Sequence, residues 1–487
     1  MRRHLSIVTF AALSVVGLAV SCSSGDSAEE QVAAPVTGSS LSESVTVDAV
    51  VGHLQSLSDI AAANDGNRAA GTSGYDASVD YVAQTLRDAG FEVQTPEFQF
   101  DSYTLDSVAM RALDREIAVD AFVYSPATPD GGVSGQIVAA PNDETPGCEA
   151  TDYEGLDVQD AVVLVPRGVC PFAQKAQIAA ESGAAAVVVT NNEDGPLNAG
   201  TLGSRDAARI PTVGVSREDG AALAAAPGIA TITIAAESET TVSRNVLAQT
   251  RTGSTDDIVM AGAHLDSVPE GPGINDNGSG VASVLESAVQ MGGSPDVTNA
   301  VRFAFWGAEE LGLVGSTEYV EGLSDADRSA IALYLNFDMV GSNNAGYLVY
   351  DGDDSDQTGE PAGPRGSDAI ERVFAQQLAA EDAEGTDFDG RSDYGPFIEV
   401  GIPSGGVFSG ADESKSQEQA DKWGGVADLP FDPNYHTEQD TLENVDRDAL
   451  ATNARAVAYG IGTYAESVTG PDGVPVGADR EAERQSE

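Results

Sequence analysis

The sequence predicts an α/β protein, a mostly parallel-centred mixed sheet flanked by helices, with a smaller α/β domain inserted in it. Two observations lead to this. From about 241 to 465, apolar runs of strand length alternate with helix-like runs, as when parallel strands are joined by helical crossovers. Between about 128 and 238 the character changes, and a second set of buried strands appears: Gln136-Ile-Val-Ala, Ala161-Val-Val-Leu-Val165 and Ala184-Ala-Ala-Val-Val-Val-Thr190.

In chain order, Met1-Arg-Arg-His4 is a basic start, and Leu5 to Val20 is an apolar run too short to span a bilayer comfortably. It ends Ala19-Val20-Ser21-Cys22, which looks like a lipobox with Cys22 as the lipidated residue. Residues 1–22 are thus expected to be an export leader. The mature protein would sit on the outer face of the cell membrane through this lipid alone, with release to the medium as a further outcome. Residues 23–44, rich in Ser, Ala and Glu, suggest a flexible tether.

Folded structure is expected from Val45, and residues 45–127 form the first segment of the main domain. Val51, Leu54, Leu57 and Ile60 recur at helical spacing, and Ala77 to Ala89 reads as a second helix ended by Gly90. Phe91 to Phe100 alternates as a strand does, and His53 reads as a helix-surface residue. Within the insert, 128–238, a helix runs from Pro171 to Gly183. Ser243-Arg-Asn-Val-Leu-Ala248 returns the chain to the main sheet, whose second segment is 239–468; the polar residues 469–487 suggest a disordered tail.

Charge excludes some partners. With 78 acidic against 24 basic residues the net charge is −54, so nucleic acid and anionic membrane surfaces should be repelled.

The chemistry gathers where strands end. The apolar run Asp257 to Ala263 ends on His264, followed by Leu-Asp266-Ser267, and Asn275-Asp276-Asn277 precedes a Gly-Ser-Gly that opens a helix. The run Ala300 to Trp306 leads to Glu309-Glu310, Ile331 to Phe337 leads to Asp338, and Tyr435-His436 follows much later. The carboxyl edge of a parallel sheet is where ligands bind. Two imidazoles and three carboxylates (His264, His436, Asp276, Glu310, Asp338) suit a pair of divalent ions such as zinc bridged by one carboxylate.

In this order the motifs His-x-Asp-Ser, Asn-Asp-Asn-Gly, Glu-Glu, Asn-Phe-Asp-Met and Tyr-His resemble the secreted co-catalytic zinc aminopeptidases, the family of aminopeptidase S, aminopeptidase Y and the glutamate carboxypeptidase branch. The resemblance covers most of 241–465, including Gly390-Arg391-Ser-Asp-Tyr-Gly-Pro-Phe-Ile and Gly401 to Phe408. It implies a zinc-peptidase fold and two Zn2+ ions. His264 and Asp338 would hold one, Glu310 and His436 the other, with Asp276 bridging.

By the same resemblance Glu309 is the general base, Tyr435 offers its phenol to the oxyanion, and Arg391 contacts substrate. Met339, Gly390 and Phe408 line the pocket for the side chain, implying a preference for large apolar N-terminal residues. Asp266, two residues past His264, is expected to hold the imidazole. Arg167-Gly-Val-Cys170-Pro-Phe-Ala-Gln-Lys175 and the Gly183 that follows resemble the protease-associated domain. With Cys22 assigned to lipid, the remaining Cys148 and Cys170 form the simplest disulfide in an exported protein.

The expected substrates are peptides with a free N-terminus. A glutamate-type carboxypeptidase, a dipeptidase or a non-catalytic surface binding protein are the alternatives on the same scaffold. One departure is visible: positions 434 and 439, where relatives often carry a disulfide flanking the Tyr-His pair, are Asn434 and Gln439 here.

Overall fold

The computed structural model of the chain describes residues 35–484, apart from residues 199, 208, 227, 356, 358 and 360. The expected leader and Cys22 lie outside the described residues.

The main sheet has six strands in the order Glu92–Gln94, Val246–Gln249, Asn299–Trp306, Ser254–His264, Ile331–Asn336 and Ser404–Gly405. The first two pairings are antiparallel and the other three parallel, so a parallel centre carries an antiparallel edge. Side chains of Ser254–His264 alternate: Val259, Ala261 and Ala263 enter one core, Ile258 and Met260 the other. A sheet covered on both faces needs apolar residues at every position, which is why these strands read as continuous apolar runs.

On one face lie the helices Val47–Ala63, Ser73–Asp88, Gly278–Met291 and Arg447–Glu466, whose Leu54, Val82, Leu285 and Val457 are fully buried. On the other, Val320 and Phe397 of the short helices Val314–Glu321 and Gly395–Glu399 pack with Trp306 and Tyr334. Burying each of the larger side chains contributes about 1.5–3 kcal/mol. A three-stranded sheet of Leu348–Tyr350, Glu384–Thr386 and Val407–Phe408 stands beside the main one.

Two boundaries depart from the periodicity. The second helix begins at Ser73 rather than Ala77, because the Thr72 hydroxyl caps it by accepting from the N–H of Tyr75 at 3.3 Å. The expected strand Phe91 to Phe100 is broken at Pro96, which has no N–H to give a ladder, and its halves join different sheets.

The second of those halves, Glu97–Ala112, pairs antiparallel with Ile229–Arg244 in a long two-stranded stem, from Glu97 opposite Arg244 to Arg111 opposite Thr231. The stem belongs to an eight-stranded sheet whose centre, Val133–Ala139, Val162–Pro166, Ala186–Thr190 and Thr212–Val215, is parallel. The strands of this sheet run from Glu97 to Arg244, beyond the 128–238 expected for the insert. Val163, Val165, Val187 and Val189 point to one core and Val162, Leu164, Ala186 and Val188 to another. Helix Phe172–Glu181 buries Ala176 and Ala179 in the first; Arg217–Ala225 buries Leu223 in the second. Cys148 and Cys170 form a disulfide with Cα atoms 6.0 Å apart, as expected.

Two terminal expectations are corrected. Within the expected tether, residues 38–44 form a helix, Gly38–Ser44, started by a Thr37–Ser40 capping box and holding Leu41 in the core. A Cβ at Gly38 would lie 2.2 Å from Thr463 Oγ1, so the absence of a side chain lets the backbone press against Arg447–Glu466. In the expected disordered tail, the helix Gly477–Arg484 is anchored by Arg480, 3% exposed, which donates to the carbonyls of Pro475, Asp256 and Ser329 and to Asp257. Arginines spent on backbone carbonyls leave no apolar periodicity to read.

Candidate metal centre

His264 closes the strand Ser254–His264, Glu309 and Glu310 follow Asn299–Trp306, and Asp338 follows Ile331–Asn336, so the carboxyl edge of three parallel strands carries four of the expected groups. Asp276 stands just before helix Gly278–Met291. Its neighbour Asn277 caps that helix through the Gly280 N–H at 2.9 Å and also accepts the N–H of Met339, tying the Asp276 loop to the Asp338 loop. Ala308, Met339 and His436, each next to or among the expected site residues, have φ of 57°, 50° and 56°. Left-handed backbone at non-glycine residues is costly and concentrates at functional sites.

The side chains converge on Asp276. His264 Nε2 lies 3.2 Å from Asp276 Oδ1 and 3.2 Å from Asp338 Oδ1. His436 Nε2 lies 3.2 Å from Asp276 Oδ2 and 2.9 Å from Glu310 Oε2. Each oxygen of one carboxylate therefore faces a different imidazole, and each imidazole has its own second carboxylate. Glu309 brings Oε2 to 3.9 Å from His264 Nε2.

The arrangement fits metal ions. Nitrogen and oxygen donors of this kind suit zinc, and Glu310 Oε1 is buried without a hydrogen-bond partner in the protein. A buried acceptor left unpaired is costly unless a cation takes it up.

The charges are tightly coupled. Burial disfavours charge on His264, but Asp338, Glu309, Asp266 and Asp276 outweigh it and hold the imidazole well above its ordinary range. His436 is likewise pushed up to about 10, against burial, by Asp276 and Glu310. Asp276 is held low: burial opposes this, and hydrogen bonds and charge from both imidazoles overcome it. Burial raises Glu310 to about 7, with Asp276 adding to it. Burial also raises Glu309 well above the carboxylate range, Glu310 and Asp338 adding to it against the pull of His264.

Asp266 has a further role that was not expected of it. Its carboxylate accepts the backbone N–H of Glu309 at 3.2 Å and of Glu310 at 3.3 Å, one on each oxygen. The imidazole Nδ1 of His264 is met instead by the backbone carbonyl of Asp266 at 3.2 Å, the carboxylate standing off at 3.8 Å.

Three supporting residues were not expected. Ser392 donates to Asp338 Oδ2 at 2.7 Å and accepts from Asn336 Nδ2 at 2.8 Å. Asp440 accepts the N–H groups of Asn275 and Asp276 at 2.7 and 2.9 Å. Arg68, fully buried, donates to the carbonyls of Leu265, Pro272 and Gly273, gripping the loop between His264 and Asp276. All three are polar residues in loops, and only their partners distinguish them from solvated ones. The Tyr435–His436 loop, without the flanking disulfide, is held by hydrogen bonds: Asp432 accepts from Asn434 N at 2.8 Å, and Asn444 Nδ2 donates to Gln439 O at 2.8 Å.

Above the centre lies a cleft lined by Met339, Phe408, Tyr350, Thr386, Arg391 and Tyr435. Met339 and Phe408 are among its lining residues. Gly390 does not line the cleft: it sits in a turn at φ 79°, its N–H donating to Tyr394 Oη, while its neighbours Asp389 and Arg391 form the wall. Arg391 donates to Tyr435 Oη at 3.2 Å and pairs with Asp412 and Glu413. The Tyr435 ring stacks on His436 with centroids 3.8 Å apart. Burial, with Asp276 and Glu310 adding to it, raises the Tyr435 phenol far above its ordinary range, so it keeps its proton.

Comparison with known proteins agrees with this geometry. Residues 245–461 match peptidase family M28, and residues 133–223 match the PA domain. The probable lipoprotein aminopeptidase LpqL of Mycobacterium tuberculosis is 55% identical over 441 residues, covering 90% of this chain and 88% of the relative. The aminopeptidase from Aneurinibacillus sp. strain AM-1 is similar in structure, with a TM-score of 0.72 at 29% identity over 88% of this chain and 97% of that one. A zinc aminopeptidase from Bacillus subtilis gives 0.62 at 27% identity, over 87% and 95%. The chain belongs to peptidase family M28 and carries a PA domain inserted between the first and second segments of its peptidase fold.

Proposed function

We propose that the chain is a zinc-dependent aminopeptidase that removes large apolar residues from the N-termini of peptides at a centre for two zinc ions. The observation that carries this reading is Asp276, with His264 at one oxygen and His436 at the other. His264 and Asp338 would hold one ion, Glu310 and His436 the second, and Asp276 both. Zinc bound there supplies an acidified water and polarises the scissile carbonyl.

The chain's own residues do the rest. Glu309, its proton affinity raised by burial, takes the proton of the attacking water and delivers it to the leaving amine. Tyr435, kept protonated by burial and oriented by Arg391, donates to the oxygen that gains charge as the carbonyl becomes tetrahedral. Met339 and Phe408, joined by Tyr350, receive the apolar side chain. Asp266 fixes the backbone on which Glu309 and Glu310 stand.

Export and a lipid anchor at Cys22 complete the proposal, supported by the Ala19-Val20-Ser21-Cys22 stretch and by the name of the mycobacterial relative. The acidic surface keeps nucleic acid away. Leucyl peptides that are free, N-acetylated or C-amidated test the reading. Hydrolysis of the free and amidated forms, with the acetylated form intact, is expected. Cleavage of the acetylated but not the amidated peptide would make the protein a carboxypeptidase of the glutamate type.

A further inference from the structure

In the inserted domain, a cavity of about 430 Å3 opens between helix Arg217–Ala225 and the parallel strands Val133–Ala139, Val162–Pro166 and Ala186–Thr190. This is within the range of about 300–1,000 Å3 typical of small-ligand sites. Its shape follows from small residues. At Gly220 a Cβ would lie 2.2 Å from Thr190 Cγ2, so helix and strand touch there. Farther along the helix, the short side chains of Ala221 and Ala224 leave a trough above Leu164. The strands end at Ala139, Pro166 and Thr190, so the trough sits at their carboxyl edge, where open parallel sheets take ligands.

The charge of its wall runs against the rest of the chain. Acidic residues outnumber basic ones 78 to 24, yet the cavity is lined by Arg167 and Arg217 and by no carboxylate. The cleft over the metal centre and three further surface clefts each include Asp or Glu in their walls. Both guanidiniums are within reach of a ligand. Arg167 donates to Asn191 Oδ1 at 3.1 Å and lies 3.5 Å from Glu193, and Arg217 lies 3.1 Å from Asp194. The side chains of Glu193 and Asp194 are 73% and 98% exposed. Pairs so open to water are weakly held, and a carboxylate from another molecule can replace them.

We infer that the inserted domain binds the C-terminal carboxylate of peptides, with Arg167 and Arg217 on the carboxylate and the Leu164–Ala221–Ala224 trough on an apolar last side chain. Two guanidiniums give a carboxylate paired, charge-assisted hydrogen bonds that an amide cannot accept with the same strength. The choice of a peptide as occupant rests on the peptidase reading. The binding itself does not, because it is measured without turnover.

The test is isothermal titration of the purified full chain with the N-acetylated pentapeptide Ac-Gly-Ala-Gly-Ala-Leu, as free acid and as C-terminal amide. The acetyl group keeps both from N-terminal hydrolysis. The acid is expected to bind at least tenfold more tightly than the amide. The double variant Arg167→Gln/Arg217→Gln should lose that difference, and Ala224→Leu, which fills the trough without touching charge, should weaken the acid by a similar factor. Both variants should keep the melting temperature and the Leu-p-nitroanilide hydrolysis of the parent, which separates this site from the metal centre. Equal binding of acid and amide, no saturable binding of either, or unchanged affinity in the double variant would overturn the inference. Failure of Leu-p-nitroanilide hydrolysis in the parent, with the acid still bound selectively, would count against the peptidase reading and not against this one.

Discussion

Ser392 donates a 2.7 Å hydrogen bond to Asp338 Oδ2 and leaves Oδ1 facing His264 at 3.2 Å. Behind Ser392 stands Asn336, which itself accepts from Tyr334 Oη at 3.0 Å, and Tyr334 accepts from Trp306 Nε1 at 2.8 Å. The carboxylate is thus oriented by a chain of buried side chains rooted in the sheet. Ser392→Ala should weaken zinc about 10–100-fold, the usual cost of removing a partner behind a ligand. The unpaired groups left behind should cost about 1–3 kcal/mol of stability. Competition with a chromophoric chelator and a denaturant melt give the two numbers; unchanged zinc affinity would mean Asp338 needs no such support.

The role proposed for Glu309 separates base from ligand. Glu309→Gln preserves the shape and removes the proton acceptor, so zinc content should stay at the parent level while kcat falls about 10²–10⁴-fold. Elemental analysis beside single-substrate kinetics decides it. Loss of zinc in parallel with activity would place Glu309 among the ligands.

Metal-free and zinc-loaded protein should respond differently to pH. Burial raises Asp440 to about 8 and Glu310 to about 7. A carboxyl with a raised folded pKa holds its proton more tightly folded than unfolded. Its stabilisation is complete below the unfolded value of about 4 and is lost as pH rises through about 7 and 8. Asp276, held low, works the other way, but its contribution disappears only in acid below that window. Zinc needs deprotonated ligands, so its contribution grows as pH rises. The melting temperature of chelator-stripped protein should therefore fall from about pH 5 to about pH 8, while the increment given by zinc widens. Parallel curves with and without zinc would contradict this.

The Cys148–Cys170 bond lies in the inserted domain and joins cysteines 22 positions apart in the chain. A loop of that length should be worth about 3 kcal/mol. A Cys148→Ser/Cys170→Ser variant should lose that much stability in a denaturant melt and hydrolyse Leu-p-nitroanilide at the parent rate. A fall in that rate would tie the insert to catalysis on small substrates.

Much of the candidate site could be read from the chain because its groups sit at the ends of strands whose apolar runs announce them. His264, Glu309, Glu310 and Asp338 all follow such runs, and the parallel sheet brings their ends to one edge. What escaped was set by tertiary partners. Arg68 lies in a loop and looks solvated until its three carbonyl partners, all between 265 and 273, are known. Ser392 and Asp440 carry no periodicity, and Gly390 sits in a turn between Asp389 and Arg391, which line the cleft. Arg480 hid the order of the C-terminal helix in the same way, by bonding to backbone rather than burying an apolar face.

The most direct measurement is anomalous diffraction at the zinc edge from crystals grown with zinc. Two peaks are expected, one among His264, Asp338 and Asp276, the other among His436, Glu310 and Asp276. A single peak, or none beside Asp276, would contradict a shared carboxylate between two ions.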